Sequence, residues 1–166
     1  ESTSYATIPA SVKSTLGAEE ITNGDFATGD FTGWSGSTSF DGTNGFVITN
    51  GACRLRSDGT NTSIYQEALV DTKFYKLTFD ITAITGSMKF VSYGNGESVT
   101  IFTTTGTKTL YFKATGTYTY FQRNAACDVT FDNISIKEVT NDLVGYWALD
   151  VDGSDSTENN NDGTLT

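Results

Sequence analysis

The sequence predicts an all-β protein, an antiparallel β-sandwich of about eight or nine strands. Gly occurs 17 times and Pro once, a composition typical of short strands joined by glycine turns. Apolar and polar residues alternate in many short segments, which predicts strands that are buried on one face. Aromatic residues make up 13% of the chain. They are enough for one sizeable core.

The predicted strands follow one another at regular spacing from residue 46 onward. The clearest is 74–84, in which the odd positions from Tyr75 to Ala83 are apolar and the even positions from Lys76 to Thr82 are polar. The intervening segments SDGTN, GNGE, TTGT and ATGT have the residues of tight turns. The predicted strands are 46–49, 52–57, 62–70, 74–84, 87–93, 97–103, 107–114, 117–123 and 127–138.

The last predicted strand changes phase halfway along. Its first half has Cys127, Val129 and Phe131 on one side, whereas its second half has Ile134 and Ile136 on that side. A single extra residue moves all later side chains to the other face of a strand. The sequence therefore predicts a β-bulge at residues 132–133.

Charge and residue usage exclude several classes of function. The net charge is −10, which is unlike a nucleic-acid binder or a protein that binds an anionic membrane, and which also disfavours an acidic polysaccharide as ligand. No apolar run approaches the roughly 18 residues of a membrane span. There is no histidine, so the usual general base is missing and enzymatic activity is not expected.

The two cysteines, Cys53 and Cys127, lie on the apolar side of their strands. They are too few to build a disulfide-based fold. Two readings stay open at this point: a pair of small buried thiols, or one disulfide between them.

Composition divides the chain into three parts. Residues 1–19 are rich in Ser, Thr and Ala and predict a linker or docking arm. Residues 20–139 contain the predicted sandwich. Residues 140–166 have six acidic residues and no Lys or Arg. They predict an acidic linker followed by the first strand, LVGYWALD, of a further domain that is incomplete, because so short a segment cannot bury a core of its own.

Four stretches carry a resemblance to a known family. They are ITNGDFATGDFTGW (21–34), SIYQEALV (63–70), KFYKLTFDITA (73–83) and VTFDNISIKEV (129–139). In this order and spacing, residues 20–139 resemble the family 4/9-type carbohydrate-binding modules. The resemblance implies a jelly-roll sandwich in which Trp34 is a packing residue. The segment 143–165 resembles the opening of a laminin-G or concanavalin A-like domain.

The resemblance also implies a metal site to be tested. In the family, an aspartate at the place of Asp132 often holds a structural calcium together with a glutamate directly after the Phe of the N-terminal motif. Here Ala27 stands at that place, so Asp132 and Asp25 are the remaining candidate ligands. The alternative is that Asp132 bonds to the local backbone of the bulge.

Sugar binding on such a fold requires aromatic rings that stack on sugar rings, flanked by amides and charged donors. The candidate residues are Tyr120, Tyr118, Arg123, Gln66 and Tyr93. For each tyrosine, packing at the core or at its rim is the alternative, because tyrosine is a favoured strand residue.

The expected protein is a non-enzymatic module of a multidomain phage structural or adhesion protein. Strings of such sandwiches are similar to phage tail, fibre and head-decoration proteins. The expectation includes display on the virion surface or outside the cell, weak polysaccharide binding, and partners that are other virion proteins or further copies of the chain. The alternative is an accessory carbohydrate-binding module of a secreted glycoside hydrolase. A third reading is a purely structural docking module.

Overall fold

Nine strands make up the fold. The computed structural model describes residues 12–94 and 96–143, and the side chains of 15–94 and 99–140. The strands are β1 (Val12–Glu19), β2 (Ser35–Gly36), β3 (Gly45–Thr49), β4 (Ala52–Ser57), β5 (Ser63–Glu67), β6 (Phe74–Gly94), β7 (Gly96–Phe102), β8 (Gly106–Lys113) and β9 (Tyr118–Leu143).

The two long strands, β6 and β9, pair with each other and connect all the others. One edge of this pair has β5, β4 and β1 along β9. The other edge has β8 along the first half of β6 and β7 along its second half. Strand β2 pairs with the outer edge of β5, and β3 pairs with the outer edge of β4. The nine strands therefore form one curled, mainly antiparallel sheet.

The two ends of the curled sheet pack face to face through aromatic rings. Phe79, in the first half of β6, lies 5.4 Å from Phe121 of β9 and 5.0 Å from Phe102 of β7, measured between ring centroids. Phe90, in the second half of β6, lies 5.0 Å from Phe112 of β8. These contacts join the halves of β6 and their neighbours across one core, so the sheet closes into a β-sandwich.

The segment before β2 adds further residues to the core. Trp34 is 6% exposed, and its indole N–H donates a hydrogen bond to the backbone oxygen of Asn23. Its ring stacks on Phe26 at 5.9 Å. Trp34 is therefore a packing residue, as the sequence predicted.

Bulges bend the β6–β9 pair, and the last of them depends on a glycine. The pairing register shifts between Gly86 and Met88. Gly86 has a φ of 78°, and a side chain there would collide with the carbonyl oxygen of Ala126. Glycine is the residue that adopts this backbone conformation without strain. The bulges let β6 continue where the sequence predicted a break, so 74–84 and 87–93 are one strand, and 117–123 and 127–138 are another.

The phase change in β9 is a β-bulge, as predicted. Asp132 lies opposite Asp80, and the next pair is Ser135 opposite Thr78, so two residues of β9 face one residue of β6. Asn133 has a φ of 56°, a conformation that asparagine tolerates better than most residues. Asp132 itself remains in the ladder, and the extra residue follows it.

Strands occupy part of the segments at both ends of the predicted sandwich. Strand β1 lies in the segment 1–19, predicted to be a linker or docking arm, and pairs with β9, whose end at 140–143 lies in the predicted acidic linker. Residues 16–139 form one compact unit. Residues 1–11 of the predicted arm lie outside the described residues, as does the predicted first strand of a further domain, LVGYWALD, beyond Leu143. No helix that could cross a membrane is found in the described ranges.

Cys53 and Cys127 are both buried free thiols. Cys53 lies opposite Phe131 and Cys127 lies opposite Ser57, so the two are four residues apart along neighbouring strands. Four residues of strand span about 13 Å. That separation is beyond the reach of a disulfide. Burial, with a smaller contribution from Asp128, raises the pKa of the Cys127 thiol to about 11.

Candidate functional site

Four tyrosines from three neighbouring strands form one outward surface. Tyr65 lies directly opposite Tyr120 in the β5–β9 pair, and Tyr93 lies directly opposite Tyr118 in the β6–β9 pair. Buried Ile64, Ser92 and Phe121 are direct neighbours in sequence of Tyr65, Tyr93 and Tyr120 and point into the core. Since successive side chains of a strand point to opposite faces, the four tyrosines point away from the core. We call Tyr65, Tyr93, Tyr118 and Tyr120 the tyrosine face.

The tyrosine face is a contiguous set of rings centred on Tyr120. Its ring centroid lies 4.9 Å from that of Tyr65, 5.7 Å from Tyr93 and 6.3 Å from Tyr118. The rings of Tyr65 and Tyr118 are themselves 5.9 Å apart. Distances of this size are those of aromatic pairs that stabilise each other. Each ring therefore holds its neighbours in place.

One buried apolar side chain lies among the tyrosines. Val91 lies opposite Tyr120 in the register and is 1% exposed. It is nevertheless not part of the core cluster, because it alternates with the core residues Phe90 and Ser92. The side chains around it on the outward face therefore bury it. Val91 is therefore a buried apolar residue on the same side of the sheet as the tyrosines.

Apolar surface remains exposed beside the tyrosines. Tyr93 is 48% exposed, and on the neighbouring strand β7 Val99 is 43% and Ile101 52% exposed. Val99 pairs with Val91, and Ile101 pairs with Lys89, so both continue the rows of the tyrosine face. Contiguous exposed apolar surface with a polar rim is typical of a binding site.

Polar side chains border the tyrosine face at both ends. At one end, Gln122 pairs with Ser63 of β5 and with Lys89 of β6. Lys89 in turn pairs with Ile101 of β7. At the other end Glu67 lies opposite Tyr118 and accepts a hydrogen bond from the Thr117 hydroxyl at 3.1 Å. An amide, an ammonium group and a carboxylate thus surround the rings. This is the mixture of donors and acceptors that fixes the orientation of a polyhydroxyl ligand.

Tyr120 keeps its hydroxyl proton at physiological pH. Burial, and then the neighbouring hydroxyls of Tyr65, Tyr118 and Tyr93, raise the pKa of Tyr120 above its ordinary value. A neutral phenol both donates and accepts a hydrogen bond. The centre of the face can therefore pair with a sugar hydroxyl in either sense.

The structure brings together three of the five predicted ligand residues. Tyr118, Tyr120 and Tyr93 lie in the tyrosine face. Arg123 does not: it lies opposite the fully buried Met88, on the core side of β9. Its Nε is buried and has no hydrogen-bond partner among the described residues. Arg123 therefore belongs to the rim of the core.

Gln66 is also on the core side, and its amide is already engaged. It is 6% exposed. Its oxygen accepts a hydrogen bond from the Thr22 backbone N–H at 3.1 Å, and its nitrogen donates to the Thr22 backbone oxygen at 2.7 Å. This pair of bonds attaches the loop before β2 to strand β5. Gln66 is therefore placed as a structural residue, not on the sugar-binding side.

Replacing Gln66 with alanine is expected to lower the free energy of unfolding by about 1–3 kcal/mol, because two hydrogen bonds are lost and the Thr22 backbone groups are left unpaired. Chemical denaturation measures the effect. Gln122→Ala is the matched control, since the same change at the rim of the tyrosine face removes no such bond. Equal stability of the two variants would contradict this assignment.

Sequence reasoning missed Tyr65, which pairs with Tyr120 at the centre of the face. The signal was present in the segment SIYQE, where Ile64 is apolar and Tyr65 has the parity of Ser63 and Glu67. That parity places Tyr65 on the solvent-facing side of the strand. Gln66 has the parity of Ile64, so the same segment puts it on the core side.

The two candidate calcium ligands hold local backbone groups. One carboxylate oxygen of Asp132 accepts from the Asn133 N–H at 2.8 Å, and one of Asp25 accepts from the Ala27 N–H at 3.2 Å. Within the described residues no group of three or more acidic or cysteine side chains is close enough to hold a metal ion. Two carboxylates are few for calcium, whose usual six to eight ligands are oxygens. Calcium binding here remains a prediction.

The electrostatic setting of Asp132 gives a test. Burial, and then the carboxylates of Asp25 and Asp80, raise the pKa of Asp132, while the bond from Asn133 opposes this. A raised pKa means that the folded state binds the proton more tightly than the unfolded chain does. Ionised Asp132 therefore destabilises the fold, and this penalty grows as the pH rises from the ordinary carboxyl pKa through the folded one.

Asp132→Asn is expected to be more stable than the wild type at neutral pH without calcium, and to lose this advantage at acidic pH, where Asp132 is protonated. Asp80→Asn should show the opposite sign at neutral pH, because hydrogen bonds from Thr107 and Asn133 lower the pKa of Asp80. Thermal unfolding with a chelator and with added calcium measures both. A calcium-dependent rise in melting temperature that Asp132→Asn abolishes would establish the metal site. An Asp132→Asn protein that is less stable than the wild type in chelator at neutral pH would contradict the charge argument.

Comparison with known proteins shows the fold. No protein-family model matches the sequence, and no curated protein matches it. A mutant of a family 29 carbohydrate-binding module matches the structure with a TM-score of 0.53 at 12% identity, covering 76% of this chain and 92% of that chain. A second family 29 structure gives a TM-score of 0.52 at 13% identity, covering 76% and 90%. The architecture is thus the jelly-roll sandwich that the sequence predicted.

A phage protein has a similar domain. The enzymatically active domain of bacteriophage CBA120 tailspike protein 4 matches with a TM-score of 0.53 at 10% identity. The match covers 72% of this chain and 21% of the tailspike chain. The likeness is therefore to about a fifth of the tailspike chain.

Proposed function

We propose that this protein is a non-enzymatic carbohydrate-binding module that binds a polysaccharide on the tyrosine face. Exposed tyrosine rings stack on the apolar faces of sugar rings, and Gln122, Lys89 and Glu67 bond to the hydroxyls. The observation that carries the proposal is the contiguity of four tyrosine rings on the outward side of three paired strands. A set of isolated tyrosines would be explained by strand propensity alone.

Rings spread over three paired strands favour a chain of sugars over a small molecule. An open face without deep walls buries little of any single ring, so affinity per module is low and several copies are needed for firm attachment. The similarity to family 29 carbohydrate-binding modules supports this ligand class. It does so through the shared fold, because identity is 12–13%.

As biological setting we propose a multidomain phage structural or adhesion protein displayed on the virion surface. The similarity to a tailspike domain supports this choice. Other virion proteins or further copies of the chain would then be the partners. The accessory module of a secreted glycoside hydrolase is the alternative setting, and the same tyrosine face would serve it.

The test is a glycan-array screen of the chain made multivalent, with a Tyr93→Ala version beside it. Tyr93 is 48% exposed, whereas the other three tyrosines are half-buried, so the loss of Tyr93 disturbs the fold least. Binding to a glycan that Tyr93→Ala weakens supports the proposal. Binding that is the same for both versions would place the site elsewhere, and no binding by a folded multivalent sample would overturn the proposal.

A further inference from the structure

The other sheet face, opposite the tyrosine face, has its own cluster of aromatic and charged residues. Lys76 lies between Tyr111 of β8 and Lys137 of β9 in one row, and Phe74 pairs with Lys113 in the next. Their neighbours Tyr75, Leu77, Phe112 and Ile136 point into the core, so these five side chains point outward. We call Phe74, Lys76, Tyr111, Lys113 and Lys137 the lysine face.

The two rings of the lysine face are unusually open to solvent. Tyr111 is 63% exposed and Phe74 is 57% exposed. Each has a lysine over its ring: the ammonium of Lys76 lies 5.9 Å from the Tyr111 centroid, and that of Lys113 lies 6.0 Å from the Phe74 centroid. Such cation–π contacts hold each ammonium group beside an exposed ring.

The charges of Lys76, Lys113 and Lys137 are available to a ligand. None of them takes part in an ion pair among the residues whose side chains are described. Two acids on the adjoining strands are engaged elsewhere: Glu138 pairs with Lys73 at 2.7 Å, and Glu19 accepts from the Ile136 N–H at 2.8 Å. Lys76 and Lys137 also lie directly opposite each other, an arrangement in which like charges destabilise the sheet.

The repulsion between Lys76 and Lys137 would be relieved by a bound anion, and exposed aromatic rings lie beside them. Together these groups are complementary to an anionic sugar. The rings offer faces for stacking, and the ammonium groups pair with a carboxylate or sulfate on the same or the next sugar. We propose that the lysine face is a second binding surface, specific for anionic polysaccharide. The net charge of −10 argues against such a ligand for the chain as a whole, but three clustered cations make the local potential at this face more positive than the net charge implies.

This surface is independent of the tyrosine face, so each can be tested without the other. The full chain is titrated with polygalacturonate and with dextran sulfate, which carry carboxylates and sulfates respectively, and with uncharged dextran. We expect binding to at least one polyanion at low ionic strength, with no binding to dextran through this face. Raising the salt to about 1 M, where the Debye length is about 3 Å, should abolish it.

The variant Lys76→Gln/Lys137→Gln is expected to weaken polyanion binding about five- to tenfold, because two exposed ion pairs are lost. The control Arg56→Gln/Lys108→Gln removes the same charge elsewhere and should change the affinity little. Tyr111→Ala should weaken the binding without changing the net charge. Tyr93→Ala should leave it unaltered.

Two results would overturn the proposal. The first is equal weakening by the lysine variant and by its charge-matched control, which would show a response to net charge only. The second is the absence of binding to both polyanions at low salt by the folded chain. Neither result bears on the tyrosine face, whose test uses Tyr93→Ala and neutral glycans.

Discussion

Replacing Tyr120 with alanine is expected to abolish detectable glycan binding, the largest functional effect of any single substitution on the tyrosine face. Tyr120 is in ring contact with the three other tyrosines and lies opposite Val91. Its loss removes the central stacking platform and frees the neighbouring rings. Loss of a central aromatic anchor costs about 2 kcal/mol or more, a fall in affinity of about 30-fold.

Tyr120→Phe separates stacking from hydrogen bonding. The phenylalanine keeps the ring and loses only the neutral hydroxyl, so we expect a smaller fall in affinity than for alanine. Val70→Ala is a control for truncation of exposed apolar surface, since Val70 is 55% exposed and belongs to neither face. The measurement is the titration of each variant with the glycan identified on the array, after melting curves show that each is folded. Undiminished binding by a folded Tyr120→Ala protein would refute the assignment of the site.

The sequence specified the strands better than it specified their ends. Alternation from Tyr75 to Ile81 was readable because one face of β6 is buried and the other is wet. The breaks expected near Gly86 and Asn124 were not real ends. Turn residues were read as ends of strands, whereas bulges absorb them within the β6–β9 pair. A bulge is decided by the partner strand, which local sequence does not reveal.

The tyrosine face was predictable in part. Parity alone puts Tyr118 and Tyr120 together on one face of β9. Sequence pattern does not give the register between strands, so the approach of Tyr65 and Tyr93 to Tyr120 needed the structure. Arg123 and Gln66 were chosen for their chemistry, but their parity is that of Phe121 and Ile64, which are fully buried. Applying the alternation rule to those two residues would have excluded them.

The largest effect on stability is expected at Phe121, on the core side of the same segment. It is 0% exposed, and its ring contacts those of Trp34, Phe79, Phe90 and Phe131 at centroid distances of 5.4–5.9 Å. Phe121→Ala should lower the free energy of unfolding by about 3–5 kcal/mol, because it removes buried surface and leaves a cavity where both halves of the sandwich meet. Against a total of about 5–15 kcal/mol, this is a large fraction.

Phe74→Ala is the matched control, because Phe74 is 57% exposed on the same sandwich and its truncation should stay within about 0.5 kcal/mol. If Phe121→Ala does not fold, Phe121→Leu should show a smaller loss of the same sign, and denaturant melts measure all three. Equal stability of Phe121→Ala and Phe74→Ala would contradict the placement of the core. Because Phe121 lies between Tyr120 and Gln122 but points inward, folded Phe121→Leu should still bind the glycan. Substitution of Phe121 would then lower stability, and substitution of its neighbour Tyr120 would lower binding. This difference is expected because one face of β9 packs in the core and the other carries the binding surface.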